Sequence, residues 1–445
     1  MADLGYLAAF GISAAIGLAG AVGPQAVGAA PEPAVCRGQS ATIVGEPGQP
    51  VVGTDGPDVI VSNGAVSIDA RAGDDVVCTT NTTNTATGPD QVDVYVGAGA
   101  GDDVIDRSGD LDPQVFGSIE PGNGDDVVIG AVGADNVDLG FGRGSPGDDQ
   151  ISTGDGHDWL RVHDPAESHD EIDLGPGADH LLVDAVAVGL WSLDMTTSEA
   201  PSRPRTVNAT GAEDIQFRAE ISGRTRLAFV GSDLDERLLV APQGLVRSVD
   251  MGGGDDVLRL SGVHVRRPVA VVHAGGPLDG GPLDGGPGTD LLRVQAYREQ
   301  VRFDLADERF DYSFTNDGSP QNRIPGWEDL DVAAESARIS GDAGDNTITW
   351  HGCPGVVRGR AGDDVLRWDG ASTRCARTKV YGNAGDDRLT GGDRTDDVLV
   401  GGPGTDSADG FGGRDTCSAE VTTRCEVVLR HHATLAAANT RRAAA

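Results

Sequence analysis

Glycine, a gap, glycine, one or two aspartates and then an aliphatic: this phrase recurs along the whole chain. It reads GAGAGDDVI from Gly97, PGNGDDVVI from Pro121, GRAGDDVL from Gly359, GNAGDDRL from Gly382 and GGPGTD from Gly401. A repeat constrains the fold more than composition does, because one short copy buries its apolar face only against the next. The sixth place of the phrase carries the carboxylate. It falls at Asp58, Asp75, Asp103, Asp126, Asp135, Asp149, Asp158, Asp179, Asp256, Asp290, Asn346, Asp364, Asp387, Asp397, Asp406 and Asp415.

The gaps set the architecture. From Asp126 to Asp135, from Asp149 to Asp158 and along Asp397, Asp406 and Asp415 the step is 9 residues. Nine residues make one turn and one short strand, and two such units close a flattened coil. The steps of 17 from Asp58 to Asp75 and 18 from Asn346 to Asp364 are then one whole coil with the motif on one side only. Segments such as DVYV, DDVVI, RTRLAFV and DVLRL alternate loosely, as strands do when one face packs inward and the other meets water. The expected fold is all-β, a solenoid of short strands and tight turns, with no helix beyond the first residues.

The middle holds a longer repeat. GPGADHLLV from Gly175 matches GPGTDLLRV from Gly286, and LWSLD from Leu190 loosely matches VRFDL from Val301. GAEDIQF from Gly211 matches GWEDLDV from Gly326, and GGGDDVLRL from Gly252 matches GRAGDDVLRW from Gly359. The order is the same in both copies, which gives two modules, 172–260 and 283–368. The remaining organisation is a signal-like segment 1–30, N-terminal coils 31–171, a loop 261–282, a C-terminal array 369–430 and a disordered tail 431–445.

Composition agrees with thin coils. Only 4% of the 445 residues are aromatic, and 66 glycines and 23 prolines supply turns. Of the 70 acidic residues, 15 are Glu and the other 55 are Asp. Solubility alone does not need that bias; ligation inside tight loops does, because the shorter side chain reaches an ion at a turn. A net charge of −36 argues against a nucleic-acid partner.

Leu4 to Gly23 is apolar and uncharged, and the small residues Gly28, Ala29 and Ala30 precede Pro31. The segment resembles a secretory signal cleaved near Ala30, although Met1-Ala2-Asp3 lacks the positive start. The alternative is a membrane anchor, since about 20 apolar residues just span a bilayer. Six cysteines after such a segment imply disulfides. Pairing sequence neighbours gives Cys36–Cys78, Cys353–Cys375 and Cys417–Cys425; the sequence alone leaves the connectivity open.

The phrase GGxGxDxUx, with U aliphatic, resembles the nonapeptide of the RTX or haemolysin-type calcium-binding repeats, whose fold is a parallel β-roll. The resemblance spans roughly residues 41–420 and is strongest in VYGNAGDDRLTGGDRTDDVLVGGPGTDSADGFGGRDTC from Val380 to Cys417. The opening ATIVGEPGQPVVGTDGPDVIV from Ala41 looks like the leader of secreted actinobacterial members. The resemblance implies several Ca²⁺ ions, each lying between turns of neighbouring coils on one edge. It implies ligands from Asp103, Asp126, Asp149, Asp158, Asp364, Asp387, Asp397, Asp406 and Asp415, with turns shaped by Gly382, Gly385, Gly401, Gly402 and Gly404. Asp387 is expected to stack with Asp406, and Asp397 with Asp415. Three turns depart from the pattern and are expected to hold the ion less well. The turn from Gly391 to Asp397 has an extra residue, position 346 is Asn, and Phe411 stands at a glycine place.

The resulting expectation is a secreted calcium-binding protein that folds on Ca²⁺ outside the cell. It would have a structural or adhesive role, with a cell-surface or extracellular polymer as the candidate partner, and no catalytic residues. The rival reading is a calcium-dependent extracellular enzyme acting on polysaccharide or protein. Its site would lie on coils 184–250 or 295–340, in a groove lined by residues such as Arg302, Asp304 and Tyr312. HExxH and GxSxG are absent from the chain. His157-Asp158, His163-Asp164 and His169-Asp170, with His180 beyond, fit either a transition-metal site or decoration of solvent-facing turns. Trp191, Trp327, Trp350 and Trp368 are expected as core fillers.

Overall fold

The structure is a computed structural model. It describes residues 33–83, 93–140, 147–163, 169–185, 189–199, 205–219, 225–240, 245–261, 282–312, 322–369 and 377–429. The signal-like segment, most of the 261–282 loop and the tail from 430 lie outside them. Among the described residues every element is a strand, and no helix is long and apolar enough to cross a membrane.

Each Gly-Asp turn feeds a short strand with one or two inward side chains. Val104–Asp106 buries Ile105 alone, and Val127–Ile129 buries Val128 alone. These strands pair in parallel with the equivalent strand of the next coil, so like residues stack. On one face Ile60, Val77, Ile105, Val128, Ile151 and Ile172 form one buried column. On the other face the column runs Ile119, Val137, Leu160, Leu181, Ile215, Leu238 and Leu258. It continues through Leu292, Leu330, Ile348, Leu366, Leu389 and Ala408. One such side chain is worth roughly 1.5–3 kcal/mol when taken out of water. Stability therefore accumulates coil by coil, and few aromatics are needed. The fold is a parallel β-roll, a two-faced solenoid with a turn at each edge.

The large side chains sit in the widened middle coils. Trp191, Phe217, Phe229, Phe303, Phe310, Trp327 and Trp350 are all buried there, and Trp327 Nε1–H donates to the Leu283 carbonyl at 2.9 Å. Leu190–Asp194 and Thr206–Thr210 lie side by side in parallel, so one stretch of chain supplies two strands to the same face. Leu291–Asp304 instead folds back through the antiparallel strand Arg309–Tyr312. The inward residues are Trp191, Leu193 and Met195 in the first segment and Val301, Phe303 and Leu305 in the second. Alternation thus aligns Trp191 with Val301, one place away from the LWSLD–VRFDL match read from sequence.

The long strands Asp329–Ser340 and Thr347–Ala361 bend from one face to the other, with register shifts at Ala334/Ser336 and Ala337/Arg338. A bend replaces a turn there, so these coils carry the aspartate motif on one edge. Disulfides join Cys36 to Cys78 and Cys417 to Cys425, with Cα atoms 5.6 and 6.0 Å apart, at the two ends of the described stack. Of the expected Cys353–Cys375 pair, Cys375 and the side chain of Cys353 fall outside the described residues.

Candidate metal turns

The turn ending at Asp387 shows how the phrase works. Asn383, at its second place, has φ 81°, and Gly385 at the fourth has φ 134°. This left-handed backbone is strained for a side chain and natural for glycine. The Asp364 N–H donates to Asp387 Oδ1 at 3.0 Å, and the Asp387 N–H donates to Asp406 Oδ1 at 2.9 Å. The fifth places bond in the opposite sense: the Asp386 N–H donates to Asp363 Oδ1 and the Thr405 N–H to Asp386 Oδ1, both at 2.7 Å. Each coil is therefore tied to the next by reciprocal amide–carboxylate bonds.

That leaves one oxygen over. Oδ2 of Asp387 is buried and has no hydrogen-bond partner. The same holds for Asp75, Asp103, Asp126, Asp158, Asp179, Asp256, Asp290, Asp364 and Asp415. A buried anionic oxygen without a partner is costly. The first-place glycines face it: a Cβ on Gly359, Gly382 or Gly401 would lie 1.9, 2.0 or 2.1 Å from Oδ2 of Asp364, Asp387 or Asp406. Around this oxygen, glycine keeps open a space bounded by a carboxylate and turn backbone.

The turns stack along two edges. The first edge carries Asp58, Asp75, Asp103, Asp126, Asp149 and Asp170, each N–H bonding the next carboxylate at 2.7–3.1 Å. Further on, the same edge carries Asp397, Asp415 and Glu426. The second edge carries Asp135, Asp158, Asp179 and Glu213, then Glu236, Asp256, Asp290 and Glu328, then Asn346, Asp364, Asp387, Asp406 and Glu420. Asp387 stacks on Asp406 and Asp397 on Asp415.

Sequence reading missed Asp170, Glu213, Glu236, Glu328, Glu420 and Glu426, because it required glycine and aspartate at fixed places. The coils between the aspartate turns of the middle do carry a carboxylate on the second edge. The usable signal was simpler: Glu213, Glu236, Glu328 and Asp170 each stand two residues before an inward aliphatic, namely Ile215, Leu238, Leu330 and Ile172. Asp397 differs from the other expected ligands. The Thr378 N–H bonds its Oδ1, while the Gly392 N–H and the Thr395 hydroxyl bond its Oδ2. Phe411 adopts φ 60°, the left-handed conformation a glycine would take, and Asp415 keeps its unpartnered Oδ2.

Burial pushes these carboxyl groups up. Asp103, Asp149, Asp158, Asp179 and Asp364 rise to about 7 and Asp126 and Asp256 to about 8. Asp75, Asp290, Asp387 and Asp415 rise to about 6. Carboxylates of adjacent coils add to the rise and the amide from the preceding coil opposes it in most of these turns. Asp58 moves the other way, held low chiefly by the Thr54 N–H.

Such turns suit a hard cation that takes six to eight oxygens, many of them carbonyls, in flexible geometry. Among the described residues no group of three or more His, Cys, Asp and Glu side chains could hold a metal ion; the fit is to carbonyl-rich ligation. The histidines are dispersed. His157 Nδ1 accepts from the Ala178 N–H, His169 lies 3.1 Å from Asp148, and His180 stacks on Trp159. His163 stands between Asp138 and Asp184 at 3.3 and 3.6 Å.

The family model for the RTX calcium-binding nonapeptide repeat matches four stretches, residues 122–145, 143–162, 379–396 and 392–420. The chain carries RTX calcium-binding nonapeptide repeats. The four matches fall on the N-terminal and C-terminal portions of the roll, where glycine phrases occupy both edges. No curated protein matches the chain.

The RTX turns predict the effect of a side chain at the second place. A Cβ on Gly402 would lie 1.8 Å from the Asn383 carbonyl oxygen of the coil before, and φ there is 134°. Gly402→Val should lower stability in saturating calcium by about 2 kcal/mol or more. Gly344→Ala, with Asp342 Oδ1 3.5 Å away as the sole close neighbour, should be much milder. Thermal melts of the two variants provide the comparison.

Proposed function

We propose that this chain is a secreted protein that folds into its roll on meeting Ca²⁺ outside the cell, where it serves a structural or adhesive role. The observation that carries the reading is the series of buried carboxylates with one oxygen each left without a donor. Without a counter-ion these stacked charges repel, and a chain of net charge −36 resists compaction further. Metal binding and folding are then one event. Extracellular modules bind calcium at about 10⁻⁴–10⁻³ M, so the chain would stay loose at cytosolic calcium and close after export. The Cys36–Cys78 and Cys417–Cys425 disulfides fit an oxidising compartment. We take 172–260 and 283–368 as duplicated modules that widen the roll between its two calcium-rich ends.

The enzyme reading is not favoured. Asp304, proposed for a groove, is buried and bonded by Arg360 at 2.8 Å, with Arg302 at 3.8 Å. It acts as an internal ion-pair partner. The side chain of Tyr312 lies outside the described residues.

Circular dichroism tests the folding claim. Protein stripped with EDTA at neutral pH should show a coil-like spectrum, and millimolar CaCl₂ should convert it to a β spectrum with a cooperative melt. The same β spectrum with and without calcium would sink the reading.

A further inference from the structure

The turns fall into two kinds, distinguished by one backbone dihedral. In turns whose aspartate keeps an unpartnered Oδ2, the second-place residue is left-handed: φ is 82° at Arg71, 115° at Gly122, 93° at Gly286, 81° at Asn383 and 60° at Phe411. Its N–H bonds elsewhere: from Gly286 to Asp284 Oδ1 at 3.3 Å, from Asn383 to the Gly401 carbonyl at 2.7 Å and from Phe411 to Asp409 Oδ1 at 3.2 Å. At Thr54, Ala131, Ser232, Asp342 and Gly392 the second-place residue is outside that region. Here its N–H donates to the sixth-place side chain of its own turn. The acceptors are Asp58, Asp135, Glu236, Asn346 and Asp397, at 2.7–2.9 Å. In these closed turns one side-chain oxygen already accepts that donor hydrogen; of the second oxygens, Asp135 Oδ1 meets the Arg107 guanidinium and Glu236 Oε2 alone is left without a partner.

The closed turns are not scattered. Asp58 and Asp397 open the two stacks of the first edge, and Asp135, Glu236 and Asn346 open the three of the second. Each stack also ends alike. The last aspartate donates its N–H to a carboxylate in a turn without the glycine phrase: Asp179 to Glu213, Asp290 to Glu328, Asp406 to Glu420 and Asp415 to Glu426, at 2.7–2.9 Å. On the remaining stack Asp149 donates to Asp170 at 3.1 Å. At Glu213 a single residue separates the strands Thr206–Thr210 and Ala212–Ala219, so no loop projects to carry ligands. The longer glutamate side chain restores the reach that the shorter turn gives up.

We propose that closed turns and glutamate turns are metal-free stops that divide the roll into five separate calcium runs, with the second-place backbone conformation deciding which turns take an ion. This inference rests on the calcium reading above and goes beyond it by naming the turns that do not bind. A glycine-aspartate phrase is then insufficient for a site: Asp397 and Asp58 carry the aspartate, yet their turns are spent on themselves.

Asparagine variants test this, because Asn keeps an oxygen to accept the second-place N–H while removing the charge. Calcium stoichiometry is measured by isothermal titration and equilibrium dialysis on chelator-stripped full-length protein. Asp387→Asn should lose at least one bound ion per molecule, whereas Asp397→Asn and Asp58→Asn should bind as many as wild type. Should Asp387→Asn fail to fold in calcium, Asp415→Asn supplies the open-turn comparison. Loss of an ion from Asp397→Asn or Asp58→Asn, matching the open-turn variant, would overturn the assignment of stops and leave calcium binding intact. Wild-type protein that takes up no calcium would overturn the calcium reading and this inference together.

Discussion

Acidification should replace calcium. Stripped of metal, the protein should show no cooperative melt at pH 8, and bringing the same sample to pH 5 should restore one. The sign follows from burial. Asp126 and Asp256 are pushed up to about 8, Asp103, Asp149, Asp158, Asp179 and Asp364 to about 7, and Asp75, Asp387 and Asp415 to about 6. The unfolded chain titrates near the ordinary aspartate value of about 3.9. The metal-free roll therefore holds protons more tightly than the unfolded chain. The stability these groups contribute is fully present below the unfolded value and is lost as pH rises through 6 to 8. Each titrating group shifts the balance by up to about 1.4 kcal/mol per pH unit. Asp58 has the opposite sign: its lowered value stabilises the fold above the ordinary range and is lost on further acidification. The optimum of the metal-free roll should accordingly lie near the ordinary aspartate value, about pH 4. Calcium affinity should rise with pH across the same window, because the ion displaces those protons. Melts at pH 5, 6.5 and 8 in metal-free buffer decide it; equal midpoints at pH 5 and 8 would show that the carboxylate stacks do not govern folding.

Much of this architecture was legible because it depends on spacing. The step from Asp126 to Asp135 puts successive turns on opposite edges, and the step from Asn346 to Asp364 returns to the same edge, as the pairing of Thr347 with Val365 shows. The inward places of Ile105, Leu389 and Leu399 follow from alternation, and all three are buried. The middle was harder to read. Glu213 and Glu328 take the carboxylate place behind a single left-handed glycine each, Gly211 at φ 80° and Gly326 at φ 71°, without the rest of the phrase. Two of the closed turns, Gly391 to Asp397 and the one at Asn346, stood out in sequence as irregular, but their closure onto their own side chains was not legible, and nothing marked Asp58, Asp135 or Glu236. Thr54 and Ala131 each precede a sixth-place aspartate with nothing to mark the turn as closed, while Arg71, Arg360 and Phe411 are left-handed without being glycine. Second-place identity does not fix second-place conformation; the stacked coil on either side does.

Arg107→Met should cost about 3–5 kcal/mol and lower the melting midpoint even in saturating calcium, because it strips the counter-charge from buried carboxylates. Arg107 follows the strand Val104–Asp106 and is fully buried. Its guanidinium contacts Asp135 and lies 3.7 Å from Asp110. Burial lowers its affinity for the proton, while Asp110, Asp158 and Asp93 oppose that shift. Room for it comes from Gly117, which pairs with Asp135 across the sheet: a Cβ there would lie 1.7 Å from Nη1. Gly117 thus holds the place that Asp135 holds one coil later, with no carboxylate of its own. The second edge begins where a fixed cation meets its first aspartate. Arg107→Lys retains the charge without the planar fork and should lose less. Calcium should rescue neither variant, because the closed turn at Asp135 already accepts the Ala131 N–H at 2.8 Å. Scanning calorimetry across a calcium series separates the outcomes. A deficit in Arg107→Met that vanishes at high calcium would mean that the ion can take the guanidinium's place, and that the start of this edge is a metal site that Arg107 normally blocks.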